Sequence, residues 1–422
     1  MLDKRDPIKV AEAVNRVMKY ALKGDIEYVS INECDERYLG EDVKASHDIP
    51  PFDRSPYDGF AIRAEDSKDA TQDQPIEFEV IEEIGAGYVA KKKVGPFQAV
   101  RIMTGAQMPK ECNAVVMLEL AKDIVKDGKP YMMIKRPYKP GDNVSYQASE
   151  TKVGEILVEE GRYINPGIKA VLATFGYAKV PVVKKTVVGL YATGTELLDV
   201  DEAMQPGKIR NSNAYMIASQ IKRAGAEPKY FGKLEDDFDT CFEAVKNALN
   251  EVDMLITTGG VSVGDYDYMP EIYKKLGAAV LFNKIAMRPG SVTTVAEFNG
   301  KLLFGLSGNP SACFVGFELF TRPIIRSWFH SKKPYLQKIK ATLYTDFPKP
   351  NPFTRFVRSR LVYNDGKLFV EPSGLDKSNV VTSLVDCNAL MILPGGTRGY
   401  STGDEVEVLL LEDQKGSEWP WN

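Results

Sequence analysis

The sequence predicts a multidomain protein of the α/β plus β class. Its parts are a central three-layer α/β domain, a β-rich inserted domain, a discontinuous domain of helix and strand, and a small barrel-like C-terminal β domain. Three observations carry that expectation. Between residues 181 and 328 apolar strand-like runs alternate with helical patterns, the rhythm of a mostly parallel sheet covered by helices on both faces. From about 43 to 145 short β-like runs are punctuated by Gly and Pro. After about 330 helical periodicity disappears. At 422 residues the chain exceeds what one core holds, and length alone suggests roughly three domains.

Residues 6–24, DPIKVAEAVNRVMKYALKG, have the marks of one helix: Asp6 as N-cap, Pro7 in the first turn and Gly24 past the end. HDIPPFDRSPYDGFAIR then opens the insertion, 43–145, with strands in IEFEVIEEI and NAVVMLEL. A second helix is expected in INPGIKAVLATFGY, capped by Asn165 and ended by Gly176. Packed against the first, it would close a discontinuous domain of 1–42 and 146–178. In 179–328 the strand VVKKTVVGLY leads to ATGTELL, followed by helix NAYMIASQIKRAG, strand EPKYFGKL, helix FDTCFEAVKNALN and strand VDMLIT. That strand leads to TTGGVSVGDYDY. Beyond it come helix YMPEIYKKLG, strands in AAVLFNKIAM, SVTTVAEF and KLLFGL, and a helix opening at GNPSACFVGFELFTRPII. In 329–422, RFVRSRLVYNDGKLFVEPSG is a hairpin with Gly in its turn, and NALMIL and DEVEVLLL are further strands.

A net charge of -4, with neither sign gathered into a long run, argues against nucleic-acid binding and against an anionic-membrane tether. Charges run throughout the first twenty residues, and no segment reaches the roughly 18 consecutive apolar residues of a membrane span. A cytoplasmic protein is expected. The five cysteines are scattered without a CxxC pair, which gives no disulfide framework or structural zinc site. With two histidines in the chain, acid-base or metal work falls to carboxylates, lysines or hydroxyls.

In an open α/β sheet ligands bind outside the carboxyl ends of the strands. Three loops are expected there: ATGTELL with Thr193 and Gly194, TTGGVSVGDYDY with Ser262, and GLSGNPSA. Gly259, Gly260 and Gly308 let backbone approach an anion, and Asn309 with Pro310 sets a helix N-terminus that favours phosphate. Glu196, Asp265, Asp267 and the triplet Glu235, Asp236 and Asp237 lie beside these glycines. Carboxylates next to a phosphate pocket repel the ligand unless a divalent cation intervenes, so the combination predicts magnesium. Lys284 and Arg288 could add positive charge from a neighbouring strand end. Plainer roles compete: a Gly-rich loop is often only a turn, Asp265 and Asp267 can cap the following helix, and Lys284 and Arg288 can be a solvated face. IGAGYVA at 84–90 matches GxGxxA, but KKKVGPF after it cannot make the helix a dinucleotide site needs, and no P-loop occurs.

TTGGVSVGDYDY and GLSGNPSA, with PPFDRSPYDGFAIRAED and RIMTGAQMPKECNAVV upstream, closely resemble the molybdopterin molybdenumtransferases, known as MoeA in bacteria and as the gephyrin E domain in animals. The resemblance spans nearly the whole chain. It implies an elongated four-domain homodimer with a MogA/MoaB-like α/β domain that inserts molybdate into adenylylated molybdopterin and releases AMP. It further implies that Glu196, Asp267 and Asp236 or Asp237 hold or position Mg2+. Asp58 and Thr104 of the inserted domain would act at the partner subunit's pocket. Lys284, Arg288, Ser307, Pro310, Arg358 and Ser383 would correspond to the molybdate site. The adenylyltransferase of the preceding step and molybdoenzyme apoproteins are the protein partners it suggests.

Two departures stand out: PGSV at 289–292 where many members read PGKP, and LSGNP at 306–310 where they read LPGNP. The first removes a cation and the second offers the Ser307 hydroxyl. Two other functions fit parts of the chain: a non-catalytic dimeric scaffold that grips peptides, and adenylylation of molybdopterin itself. The retained Glu196 and Asp267 weigh against the first, and the domains beyond the α/β one weigh against the second.

Overall fold

The computed structural model describes residues 6–234, 237–260, 268–412 and 416–421. The chain forms two compact units, one of residues 42–159 and 170–178, the other of 1–41, 160–169 and 179–422.

In the larger unit the α/β region contains β1 (Val187–Thr193), α1 (Ser212–Ala224), β2 (Glu227–Leu234), α2 (Phe238–Ala248), β3 (Met254–Thr258), α3 (Met269–Leu276), β4 (Ala279–Phe282), β5 (Thr294–Phe298) and β6 (Lys301–Leu306). Helix then runs from Pro310 to Trp328, with a π-helical stretch at Phe317–Thr321. The sheet order is β2-β1-β3-β6-β5-β4. β1 lies parallel to β2 and β3, and β3 to β6, whereas β5 and β4 form an antiparallel edge. Every residue of β3 is buried, as expected of a parallel strand covered on both faces. The chain steps from β1 outward to β2 and returns to β3 on the other side. A topological switch therefore lies between the carboxyl ends of β1 and β3.

Helix ends follow local chemistry. Asn211 Oδ1 accepts from Ala214 N–H (3.1 Å) at the start of α1, and Asn165 Oδ1 from Ile168 N–H (2.9 Å) at the start of Pro166–Thr174. The first helix departs from expectation, spanning Val10–Met18 rather than beginning after Asp6. Ile8 N–H donates to Lys284 O (3.2 Å) and Ile8 O accepts from Ala286 N–H (2.7 Å). That pairing holds Ile8 extended and delays the helix. VVKKTVVGLY is likewise two strands, because Lys179–Val183 pairs antiparallel with Ile26–Ser30 before β1 begins.

In the C-terminal region the hairpin strands Thr354–Asn364 and Lys367–Pro372 form as expected. They close into a five-stranded barrel with Lys338–Leu343, Glu405–Leu410 and Ala389–Leu393. Met287–Arg288 pairs with Thr354–Arg355 and joins the α/β region to the barrel. One apolar core runs through both and includes Val14 and Val17 of the first helix, Leu190, Phe304 and Phe317 of the α/β region, and Phe356, Leu390 and Leu409 of the barrel.

The smaller unit holds a six-stranded sheet, in the order Ala114–Met117, Gly59–Ile62, Gln98–Ile102, Ile76–Ile84, Lys129–Ile134, Lys122–Lys126. Phe60, Ile62 and Val116 belong to one core and Ala61, Val100 and Val115 to another. The alternation places the two cores on opposite faces of the sheet. No helix follows the GxGxxA match at 84–90.

Candidate active site

Because β1, β3 and β6 are parallel neighbours, the loops after them emerge at one sheet edge. They line a cleft of about 920 Å³ formed by 193–197, 209–213, 258–260, 307–310 and residues of α2 and α3. The sequence explains how the loops approach. Gly259 has φ 87°, and a Cβ there would lie 2.7 Å from both Thr193 O and Thr193 Oγ1. No larger residue fits between the exits of β1 and β3. Gly259 N–H donates to Leu306 O (2.9 Å), and Thr193 Oγ1 to Thr258 O (3.2 Å), so the three exits are tied together. At Gly308 packing does not demand glycine, since a Cβ there would meet nothing nearer than Gly259 Cα at 3.6 Å.

Glu196 is exposed and lines the cleft. Its carboxylate folds over Gly194, where a Cβ would stand 2.5 Å from Glu196 Oε2. Ser307 Oγ accepts from Asn309 N–H (3.2 Å). At the start of the Pro310 helix, Pro310 has no N–H, and Ser311 donates its N–H to Ser378 O (3.0 Å) and its hydroxyl to Val380 O (2.6 Å). This N-terminus therefore offers an anion fewer N–H groups than the sequence suggests. Asn213, which sequence reasoning passes over, donates Nδ2 to Gly308 O (2.7 Å) and fastens the loop to α1.

The acids divide. Asp237 caps α2: its Oδ2 accepts from the Thr240 hydroxyl (2.6 Å) and N–H (2.8 Å). Those bonds, the hydroxyl first, hold its carboxyl below the ordinary range. Asp237 does not line the cleft. Glu235, Asp236, Ser262, Asp265 and Asp267 lie outside the described residues. Among the described residues no three His, Cys, Asp or Glu side chains gather as a metal site.

A second cavity of about 270 Å³ shares Val292, Ser307 and Asn309 with the cleft. Arg288, Arg355, Arg358, Lys377 and Asp376 line it. Arg358 is buried with each nitrogen engaged: Nε to Ser383 Oγ (3.3 Å), one terminal nitrogen to Asp376 Oδ1 (3.1 Å), the other to Leu375 O (3.3 Å) and Lys377 O (3.2 Å). Arg355 donates to Asp376 Oδ2 (2.9 Å), Asn351 Oδ1 (2.6 Å) and Pro350 O (3.3 Å). Ser383 thus supports Arg358 from behind the cavity wall. Lys284 lines neither cavity. Sequence reasoning passed over Arg355, Asp376 and Lys377, whose proximity depends on the barrel closing.

In the smaller unit Asp58 and Thr104 come together. Asp58 Oδ1 accepts from Thr104 N–H and Oγ1, each at 2.7 Å. The N–H first and then the hydroxyl hold the Asp58 carboxyl below its ordinary range. No helix among the described residues is long and apolar enough to cross a membrane, and all five cysteines are free and buried.

Comparison with known proteins matches three family descriptions in sequence order. They are the MoeA N-terminal region (domain I and II) at 8–176, the probable molybdopterin binding domain at 189–327, and the MoeA C-terminal region (domain IV) at 340–411. The chain is 57% identical over 422 residues to the molybdopterin molybdenumtransferase of Bacillus subtilis (strain 168), covering all of this chain and 98% of that one. It is 47% identical over 418 residues to the enzyme of the same name from Staphylococcus aureus (strain COL), covering 99% of each. Among solved structures, the molybdopterin biosynthesis moeA protein of Pyrococcus horikoshii OT3 superposes with a TM-score of 0.81 at 31% identity, over 96% of this chain and 100% of that one.

Proposed function

The chain belongs to the MoeA family of molybdopterin molybdenumtransferases, transferases of molybdenum cofactor biosynthesis, and on that premise we propose that it inserts molybdate into adenylylated molybdopterin with magnesium-dependent release of AMP. The observation that carries the proposal is the cleft at the β1/β3 switch, about 920 Å³, which lies within the usual range for small-molecule sites. Thr193, Gly194, Gly259, Gly260, Ser262, Gly308, Asn309 and Pro310 would cradle the adenylylated pterin.

One described carboxylate at the cleft, Glu196, supports a magnesium site. This ion keeps several waters and binds through one or two carboxylates plus substrate phosphates, and Glu196 is an exposed carboxylate at the cleft. Glu196, with Asp267 and Asp236, would hold it, while Asp237 fixes the start of α2. Bound magnesium supplies charge neutralisation between the phosphoanhydride and the incoming dianion. Molybdate would sit in the adjoining cavity near Arg288, Lys377 and Ser307. Lys377 supports this reading, since it lines the same cavity as Ser291 of the PGSV stretch. Arg358 and Ser383 would shape that wall.

The proposal extends to the assembly. Asp58 and Thr104 would act on the partner subunit's substrate in a cytoplasmic homodimer, with the four sequence-defined domains in each subunit. The functional test incubates purified protein with adenylylated molybdopterin, molybdate and magnesium. AMP release dependent on all three is expected, and its absence rejects the reaction. Mixing Glu196→Ala with Asp58→Ala subunits tests the sharing. Random re-pairing of a symmetric dimer should restore about a quarter of wild-type AMP release, and no recovery would place both residues in one subunit's site.

A further inference from the structure

Asp376 is the carboxylate among the cations of the smaller cavity, and its side chain is 6% exposed. Its Oδ1 meets Arg358, and its Oδ2 meets Arg355 at 2.9 Å and Lys349 Nζ at 3.5 Å. The remaining lining cations, Arg288 and Lys377, have no ion-pair partner among the described residues. A cavity built for a dianion gains attraction from every cation and loses some to a fixed carboxylate within a few ångströms. That carboxylate also occupies N–H groups of both buried arginines.

We propose that Asp376 is an affinity-setting residue of the oxyanion cavity, a built-in competing anion that lowers its affinity for dianions in general. This rests on the reading of that cavity as the molybdate site. With Asp376 in place, molybdate and other tetrahedral dianions such as sulfate alike are held weakly and exchange readily. The buried arginines keep their orientation through backbone carbonyls, Asn351 and Ser383. Asp376 therefore acts on the charge that a ligand meets more than on the shape of the wall.

The test is calorimetric titration of the full-length protein with sodium molybdate and, separately, sodium sulfate. Asp376→Asn keeps the shape and removes the charge, and it should tighten both anions by about 3- to 10-fold, with a steeper dependence on ionic strength. The KM for molybdate should fall in step, and sulfate should inhibit at lower concentration. A purely structural role predicts the reverse, because loosened arginines bind more weakly. Unchanged or weaker binding by Asp376→Asn overturns the proposal.

Lys349→Met provides a second arm if Asp376→Asn does not fold. Lys349 does not line the cavity and its side chain is 43% exposed. Removing it leaves the Asp376 charge less compensated, so molybdate should bind more weakly; tighter or unchanged binding counts against the proposal. Arg288→Gln separates the two levels. If it leaves molybdate binding unchanged, the oxyanion sits elsewhere and the cavity assignment fails. If it weakens binding while Asp376→Asn also weakens it, only the role of Asp376 is lost.

Discussion

Asp58 illustrates how two residues with separate sequence signals become one chemical unit. Thr104 donates twice to one carboxylate oxygen, which favours the ionised form. Because the folded-state pKa lies below the ordinary 3.8, the pair's contribution to stability is complete above that value and is lost as pH falls through the lower folded one. Thr104→Val removes the hydroxyl bond and keeps the N–H bond. It should raise the Asp58 carboxyl towards 3.8 without abolishing the downward shift, read by NMR titration of that carboxyl. An unmoved titration would mean the hydroxyl is not part of the unit. Gly259 is the other residue whose identity geometry dictates. Gly259→Ala must hold a left-handed backbone, about 1–2 kcal/mol for an L-residue, and must also push Thr193 away. Urea unfolding should show at least that loss, and AMP binding should weaken with it. The places of Glu196 and Gly259 at the cleft were legible because a loop's glycines and acids are a local signal. Asp376 and Asn213 were not, since each takes its role from partners far along the chain.

At the scale of elements, alternation and the Asn165 cap were legible for the same local reason. From α1 to β6 the observed elements fall where the alternation of strand-like and helical runs puts them. Asn211 serves α1 twice, accepting from Ala214 N–H and donating Nδ2 to Tyr230 OH (3.0 Å) on β2. Asn211→Ala should cost about 1 kcal/mol, the usual value of a lost N-cap, measured as a lower urea midpoint with an unchanged slope. A change below a few tenths of a kcal/mol would show that the cap is dispensable. The misplaced elements share one cause. The first helix starts late because Ile8 pairs with Ile285, and Lys338–Leu343, not anticipated from sequence, is a strand because Lys367–Pro372 and Glu405–Leu410 flank it. Pairing with remote chain overrides local preference, and a single sequence does not display its register.

At the scale of the whole molecule, changes of texture mark four stretches of sequence, but continuity of the apolar core groups them differently. Phe304 and Phe317 share a core with Phe356, Leu390 and Leu409. The α/β region therefore loses part of its own interior when the barrel is removed. Each large apolar side chain left uncovered forfeits about 1.5–3 kcal/mol, and a handful of them consumes the 5–15 kcal/mol by which a typical domain is stable. Residues 179–328 expressed alone should aggregate or lack a cooperative melt. The smaller unit keeps both of its cores within itself, so a fragment of residues 42–178 should unfold in one cooperative transition. Scanning calorimetry of the intact chain should then resolve two transitions rather than four, one of them matching the fragment. A soluble 179–328 fragment with a sharp melt of its own would show that the shared core is a contact between independent domains, and would support four as the number of folding units.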